Sequence, residues 1–138
     1  MVQRLKRYIR IAVITGFFLI LVGCAASQTS EKSAENVDFT VVEMRQIPEA
    51  LREIIEKNKK QEIRMSYSDG DDLYLVRGYG EQKTGGYSIA VQSCMEDEEM
   101  LFLDTQLLGP QKDAVSADPS YPCLVIKMEM REREVMID

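Results

Sequence analysis

The sequence predicts a β-rich α+β domain of about six mainly antiparallel strands, sandwich-like, with one packed helix near residues 48–60. Three observations predict it. Between Ile63 and Met130 apolar residues recur mostly at every second position, the period of a half-buried strand. Turn-forming clusters punctuate that pattern at residues 68–71, 80–86, 96–99 and 109–120. A single stretch, opening at Pro48, carries the helical period instead.

The elements follow in order. Phe39 to Met44 is rich in β-branched residues and reads as a first strand. Pro48 suits a first helical position, where its missing N–H costs nothing. Leu51, Ile54 and Ile55 form a narrow apolar stripe. Glu49 and Glu53 lie early while Lys57, Lys59 and Lys60 lie late, which complements the helix dipole. So short a helix needs a sheet face to pack on. Ile63, Met65 and Tyr67 then alternate, Ser68-Asp69-Gly70-Asp71 makes a hairpin turn, and Leu73 to Tyr79 returns as partner strand.

Gly80 to Gly86 precedes a strand running from Tyr87 to about Cys94. The glycine pair lacks the spacing and Lys-Ser/Thr of a phosphate loop. It reads as a backbone turn or bulge that requires positive φ. Glu96-Asp97-Glu98-Glu99 is a charged hairpin tip, and Met100 to Leu108 is the next strand. Gly109 to Ser120 is a long polar loop, a length that is usually functional or else mobile. Tyr121-Pro122 leads into Cys123 to Met130, and a short edge strand is expected in the charged tail Arg131–Asp138.

Histidine is absent from all 138 residues, which removes Ser-His and Cys-His catalysis and the His ligands of most catalytic zinc sites. The acidic turn Asp69, Asp71, Asp72 lacks the remaining ligands of a calcium loop, since residue 80 is Gly where the twelfth position needs Glu. No metal and no cofactor are expected. Besides Cys24 the chain holds Cys94 and Cys123. Strict alternation places Cys94 opposite Ile89 and Val91, and Cys123 opposite Leu124 and Ile126, so both fall on the more polar side of their strands. A Cys94–Cys123 disulfide and two free, partly buried thiols are both open readings.

The N-terminus decides the compartment. Arg4, Lys6, Arg7 and Arg10 precede an apolar run from Ile11 to Val22, and the first 23 residues contain no acid. That is the form of a secretory signal. Apart from Thr15 and Gly16 the run is apolar, and the clean stretch after Arg10 is 12 to 16 residues long, cramped against the roughly 20 of a transmembrane helix. An uncleaved anchor is the second reading. Leu21-Val22-Gly23-Cys24 resembles the lipobox of bacterial lipoproteins, which implies cleavage before Cys24 and a thioether-linked diacylglycerol on its thiol, with acyl chains such as palmitate holding the membrane. The expected organisation is a signal peptide over 1–23, a lipidated Cys24 with a flexible tether over 24–36, and a folded domain over 37–138. The tether assignment rests on AASQTSEKSAEN, which has no large apolar residue. The mature chain would carry 13 basic and 23 acidic residues, a net charge of −10. So acidic a surface excludes nucleic acid as a partner. The expected location is extracytoplasmic, on a bacterial membrane.

Three ordered segments resemble the C-terminal domain of the PrcB family of protease-complex lipoprotein subunits. They are Gly80-x-x-x-Thr84-Gly85-Gly86-Tyr87-Ser88-Ile89, Gly109-Pro110 after the following strand, and Ser120-Tyr121-Pro122 before Leu124-Val125-Ile126-Lys127. The resemblance spans about residues 39–129. It implies a small β-rich exported domain that binds another protein, a secreted protease among the candidates, and is not an enzyme. The contact residues it suggests are Thr84, Gly85, Gly86, Tyr87, Pro110, Tyr121 and Pro122. Thr84-Gly85-Gly86-Tyr87 is also similar to the T-T-G-Y loop of chagasin-like cysteine-protease inhibitors, which implies direct inhibition as the alternative. Gly85 departs from that loop, and the chain has no Trp for its second one.

Overall fold

The computed structural model describes residues 33–138. The signal, Cys24 and most of the tether lie outside the described residues. Among those described, eight strands form two four-stranded sheets, and one helix of ten residues accompanies them. Sheet A has the order β1 (Glu35–Asn36), β5 (Ser88–Glu96), β6 (Met100–Leu108) and β8 (Glu134–Ile137). Sheet B has the order β2 (Thr40–Val41), β7 (Cys123–Glu129), β4 (Asp72–Tyr79) and β3 (Glu62–Asp69). Helix α1 is Glu49–Asn58, with Pro48 at its N-cap. No described helix is long and apolar enough to cross a membrane.

The described residues form three layers. Between the sheets lie Leu73, Leu75, Leu124, Ile126 and Met128 from sheet B, with Cys94, Leu101, Leu103 and Ile137 from sheet A. On the other side of sheet B, Leu51 and Ile55 of α1 pack on Ile63, Tyr74, Val76 and Val125. This explains why β4 is buried from Leu73 to Gly78 without alternation. Its odd residues face sheet A and its even residues face the helix.

The two sheets are joined at one end by a buried arginine. Arg77 is only 3% exposed, and its guanidinium lies 3.8 Å from the Tyr79 ring centroid. It donates to the Gly78 carbonyl at 2.8 Å and to the Asp138 carbonyl at 3.4 Å, with Glu62 at 3.5 Å. Thr105 Oγ1 donates to the same Asp138 oxygen at 3.0 Å and lies 2.7 Å from the Tyr79 hydroxyl. A buried cation needs such satisfied surroundings. The cluster fastens the end of β8 to β4 and β6.

Several elements differ from expectation. The described residues hold eight strands rather than about six. The predicted first strand contracts to Thr40–Val41, because Glu43 and Gln46 close a 3-10 turn at Met44–Gln46. There the Gln46 amide donates to the Glu43 carbonyl at 2.8 Å, and Gln46 Oε1 accepts from the Glu43 amide at 2.9 Å. Glu35 and Asn36, tether-like in composition, pair with Glu96 and Met95. The tail strand β8 runs parallel to β6, whereas every other pairing is antiparallel.

Both cysteines are free thiols. Cys94 lies in the inter-sheet core, whereas Cys123 joins the helix-side cluster on the far face of sheet B. Sheet B separates them, so the disulfide reading is corrected. Alternation misplaced Cys94 because the register shifts between Val91 and Ser93, where Gln92 is the extra residue. Beyond that bulge the phase inverts, and Cys94 comes to face inward with Ile89 and Val91. Cys123 does lie opposite Leu124 and Ile126, but α1 covers that side.

Burial pushes the Cys123 thiol up from the ordinary 9.0 to about 11, and burial also raises Cys94. In the unfolded chain both thiols ionise near 9, so between about pH 9 and 11 the unfolded state binds fewer protons and stability falls as pH rises. Cys123→Ser should flatten part of that fall in urea unfolding midpoints measured from pH 8 to 10.5. An unchanged profile would mean that the thiol is solvated.

Candidate functional site

The residues singled out by sequence converge on one end of the sandwich. There β4 hands over to β5 through 80–87, and β6 to β7 through 109–122. The two connections are interlocked. Gln82 and Ser120 exchange backbone hydrogen bonds at 2.8 and 3.0 Å, an isolated antiparallel bridge. Ser120 Oγ donates to the Thr84 carbonyl at 2.7 Å, and the Gly85 amide donates to the Ser116 carbonyl at 3.1 Å. Within the long loop the Asp118 amide donates to Ser116 Oγ at 3.1 Å, and a short 3-10 turn spans Lys112–Ala114.

The two glycines have separate reasons. Gly86 has φ +88°, and a Cβ there would lie 2.3 Å from the Ala114 carbonyl oxygen and 2.7 Å from Pro110 Cβ. Both the backbone angle and the space demand glycine. Gly85 is buried, and a Cβ on it would come within 3.0 Å of the Ser116 side chain. The expected positive φ therefore belongs to Gly86, while Gly85 serves close approach.

Thr84, Gly85, Gly86 and Pro110 are brought together under the loop. Tyr121 is turned toward the helix side, while Pro122 pairs through its backbone with the end of β4. The Tyr121 hydroxyl donates to Glu81 Oε2 at 3.2 Å, Lys59 Nζ lies 5.1 Å from its ring centroid, and the Pro122 carbonyl accepts from the Tyr79 amide at 3.0 Å. Met44, Ile55, Glu56, Lys59, Tyr121 and Cys123 line a shallow groove there. Tyr87 is half-buried just before β5 and takes no part in the interlock. Among the described residues, no group of three or more Cys, Asp or Glu side chains is placed to hold a metal ion.

Residues 73–129 match the family model of the PrcB C-terminal domain. The search of curated proteins gave no match, and neither did the search of solved structures. The PrcB match begins in β4 and ends with β7, so it encloses both interlocked connections while leaving out α1, β3 and β8. Within the matched residues the Thr84–Tyr87 and Ser120–Pro122 segments thus meet in space, Ser120 bonding the turn that Thr84 opens. Ala114 and Ser116 escaped the sequence reading. Their only signal is small size opposite a glycine pair, and this cannot be read without knowing that the two segments touch.

Proposed function

We propose that this chain is an exported lipoprotein, held at a bacterial membrane through Cys24, whose PrcB-type domain binds another envelope or secreted protein. A secreted protease is the partner class suggested by the PrcB resemblance, and the domain acts by binding rather than by chemistry. The observation that carries the reading is the interlock of 82–86 with 110–120. Residues 111–119 are exposed throughout, yet the loop is tied to the 82–85 turn by backbone bonds at Ser116 and Ser120. Fixing a loop beforehand lowers the entropy cost of binding. Val115, 51% exposed at its crest, offers an apolar contact.

Direct inhibition through the TGGY segment finds less support. That mode needs the segment to project, whereas Gly85 is buried and Ala114 backs Gly86. The contact role passes to the loop that the segment supports.

A photo-crosslinking residue placed at 115 in the full chain, expressed in its own cell envelope, tests both parts. The expected result is a discrete adduct with an exported protein in the membrane fraction. Absence of any adduct at 115 and at neighbouring loop positions would overturn the binding role. The Cys24→Ser variant should leave the membrane, and its retention there would overturn the lipid anchor.

A further inference from the structure

Helix α1 covers the outer face of sheet B, but no described helix lies on the outer face of sheet A. That face carries an apolar row running straight across its strands. Met95 on β5 is directly opposite Phe102 on β6, and Phe102 is directly opposite Met136 on β8. Phe102 belongs to neither core cluster, because its neighbours Leu101 and Leu103 take the inward positions. Met136 is 52% exposed, and Met95 and Phe102 are half-buried. Two unbranched thioethers flanking an aromatic ring make an adaptable surface.

The strands that carry the row hold charge of one sign, while Arg64, in the groove beside Met136, is paired with Glu62 at 3.3 Å. The four strands of sheet A contain Glu35, Glu96, Asp104 and Glu134 and not one Lys or Arg. Asp104 and Glu134 lie two residues from Phe102 and Met136, on the same outward face, and both are exposed. The nearby Arg131 is paired with Glu96 at 3.1 Å. We propose that the outer face of sheet A is a second docking surface, for a basic amphipathic segment of another protein. The segment's apolar side chains would cover Met95, Phe102 and Met136, and its Lys or Arg residues would flank Asp104 and Glu134.

Charge selects this occupant over two others. A second copy docked face to face would set Asp104 and Glu134 against their like. An anionic lipid surface would be repelled by the same carboxylates. The surface is also distinct from the 110–119 loop: the row crosses β6 near its start, and the loop follows the end of that strand.

The test uses the full chain in phosphatidylcholine nanodiscs, with empty nanodiscs as blank. Three labelled 20-residue probes are compared by fluorescence anisotropy: a helix with a Leu face and a Lys face, the same helix with Glu for Lys, and a scramble of the first without an apolar face. Only the first should bind. Its affinity should fall at least tenfold with Phe102→Ser and with Asp104→Lys/Glu134→Lys, both exposed-face changes, each checked for an unchanged thermal transition. Val115→Asp should leave it unaltered, which separates this surface from the loop. Equal binding of the scramble, or full binding to the Asp104→Lys/Glu134→Lys variant, would overturn the proposal. So would self-association in sedimentation that Phe102→Ser abolishes.

Discussion

Gly86→Ala should cost roughly 2–4 kcal/mol of stability, the sum of a strained backbone and an overpacked contact. The residue sits at φ +88°, and the new methyl would meet the Ala114 carbonyl oxygen at 2.3 Å. Neither atom belongs to a flexible side chain, so relief requires the loop backbone to move. The loop should therefore come away from the turn, and the Gly85 and Ser120 amides, which bond across the interlock, should lose protection from hydrogen exchange. Gly85→Ala presses only on the Ser116 side chain and should cost about 1 kcal/mol. Urea unfolding of both variants, with exchange at those two amides, checks the expectation. A Gly86→Ala variant within about 0.5 kcal/mol of the parent would mean that the interlock is not formed in solution.

Leu75→Ala is the other large effect expected, a loss of about 2–5 kcal/mol. Leu75 is fully buried at the centre of β4, with Ser66 of β3 and Ile126 of β7 on either side in register. Strands hydrogen-bonded on both sides cannot close over the missing side chain, so most of the cavity should persist. The change falls where both sheets meet and should shift the whole transition as one. Val41→Ala, at a position 57% exposed on β2, should stay within about 0.5 kcal/mol. Guanidinium melts that gave the two variants equal midpoints would contradict the layer assignment.

What could be read beforehand was whatever local chemistry dictates. The α1 helix, the Asp69–Asp72 hairpin and the long strands announced themselves because period, caps and turn residues agree. Residues that depend on a distant partner did not. Gln92 carries no mark of a bulge, yet it inverts the phase of everything beyond it in β5 and moves Cys94 into the core. Glu35 and Asn36 are polar and look like linker, because a two-residue edge strand draws its stability from the β5 backbone and needs no apolar side chain. The tail strand was expected at an edge, but its parallel sense is set by β6, which lies 26 or more residues earlier. The site was half legible. Thr-Gly-Gly-Tyr marked the turn, while the small residues it rests against lay in a loop with no pattern of its own.

The alternation of the chain between sheets has a consequence for how the domain forms. It passes from sheet B to sheet A after β4, returns for β7, and crosses again to place β8 beside β6. Neither sheet can be completed while the other is absent, because each owes a strand to a later passage. Sequence-distant pairing of this kind folds slowly, since loop entropy is spent before contacts repay it. Ile137 contributes to the inter-sheet core, and Asp138 receives the Arg77 and Thr105 hydrogen bonds. A chain emerging from its N-terminal end would therefore hold an open, unfinished core until residues 137 and 138 arrive.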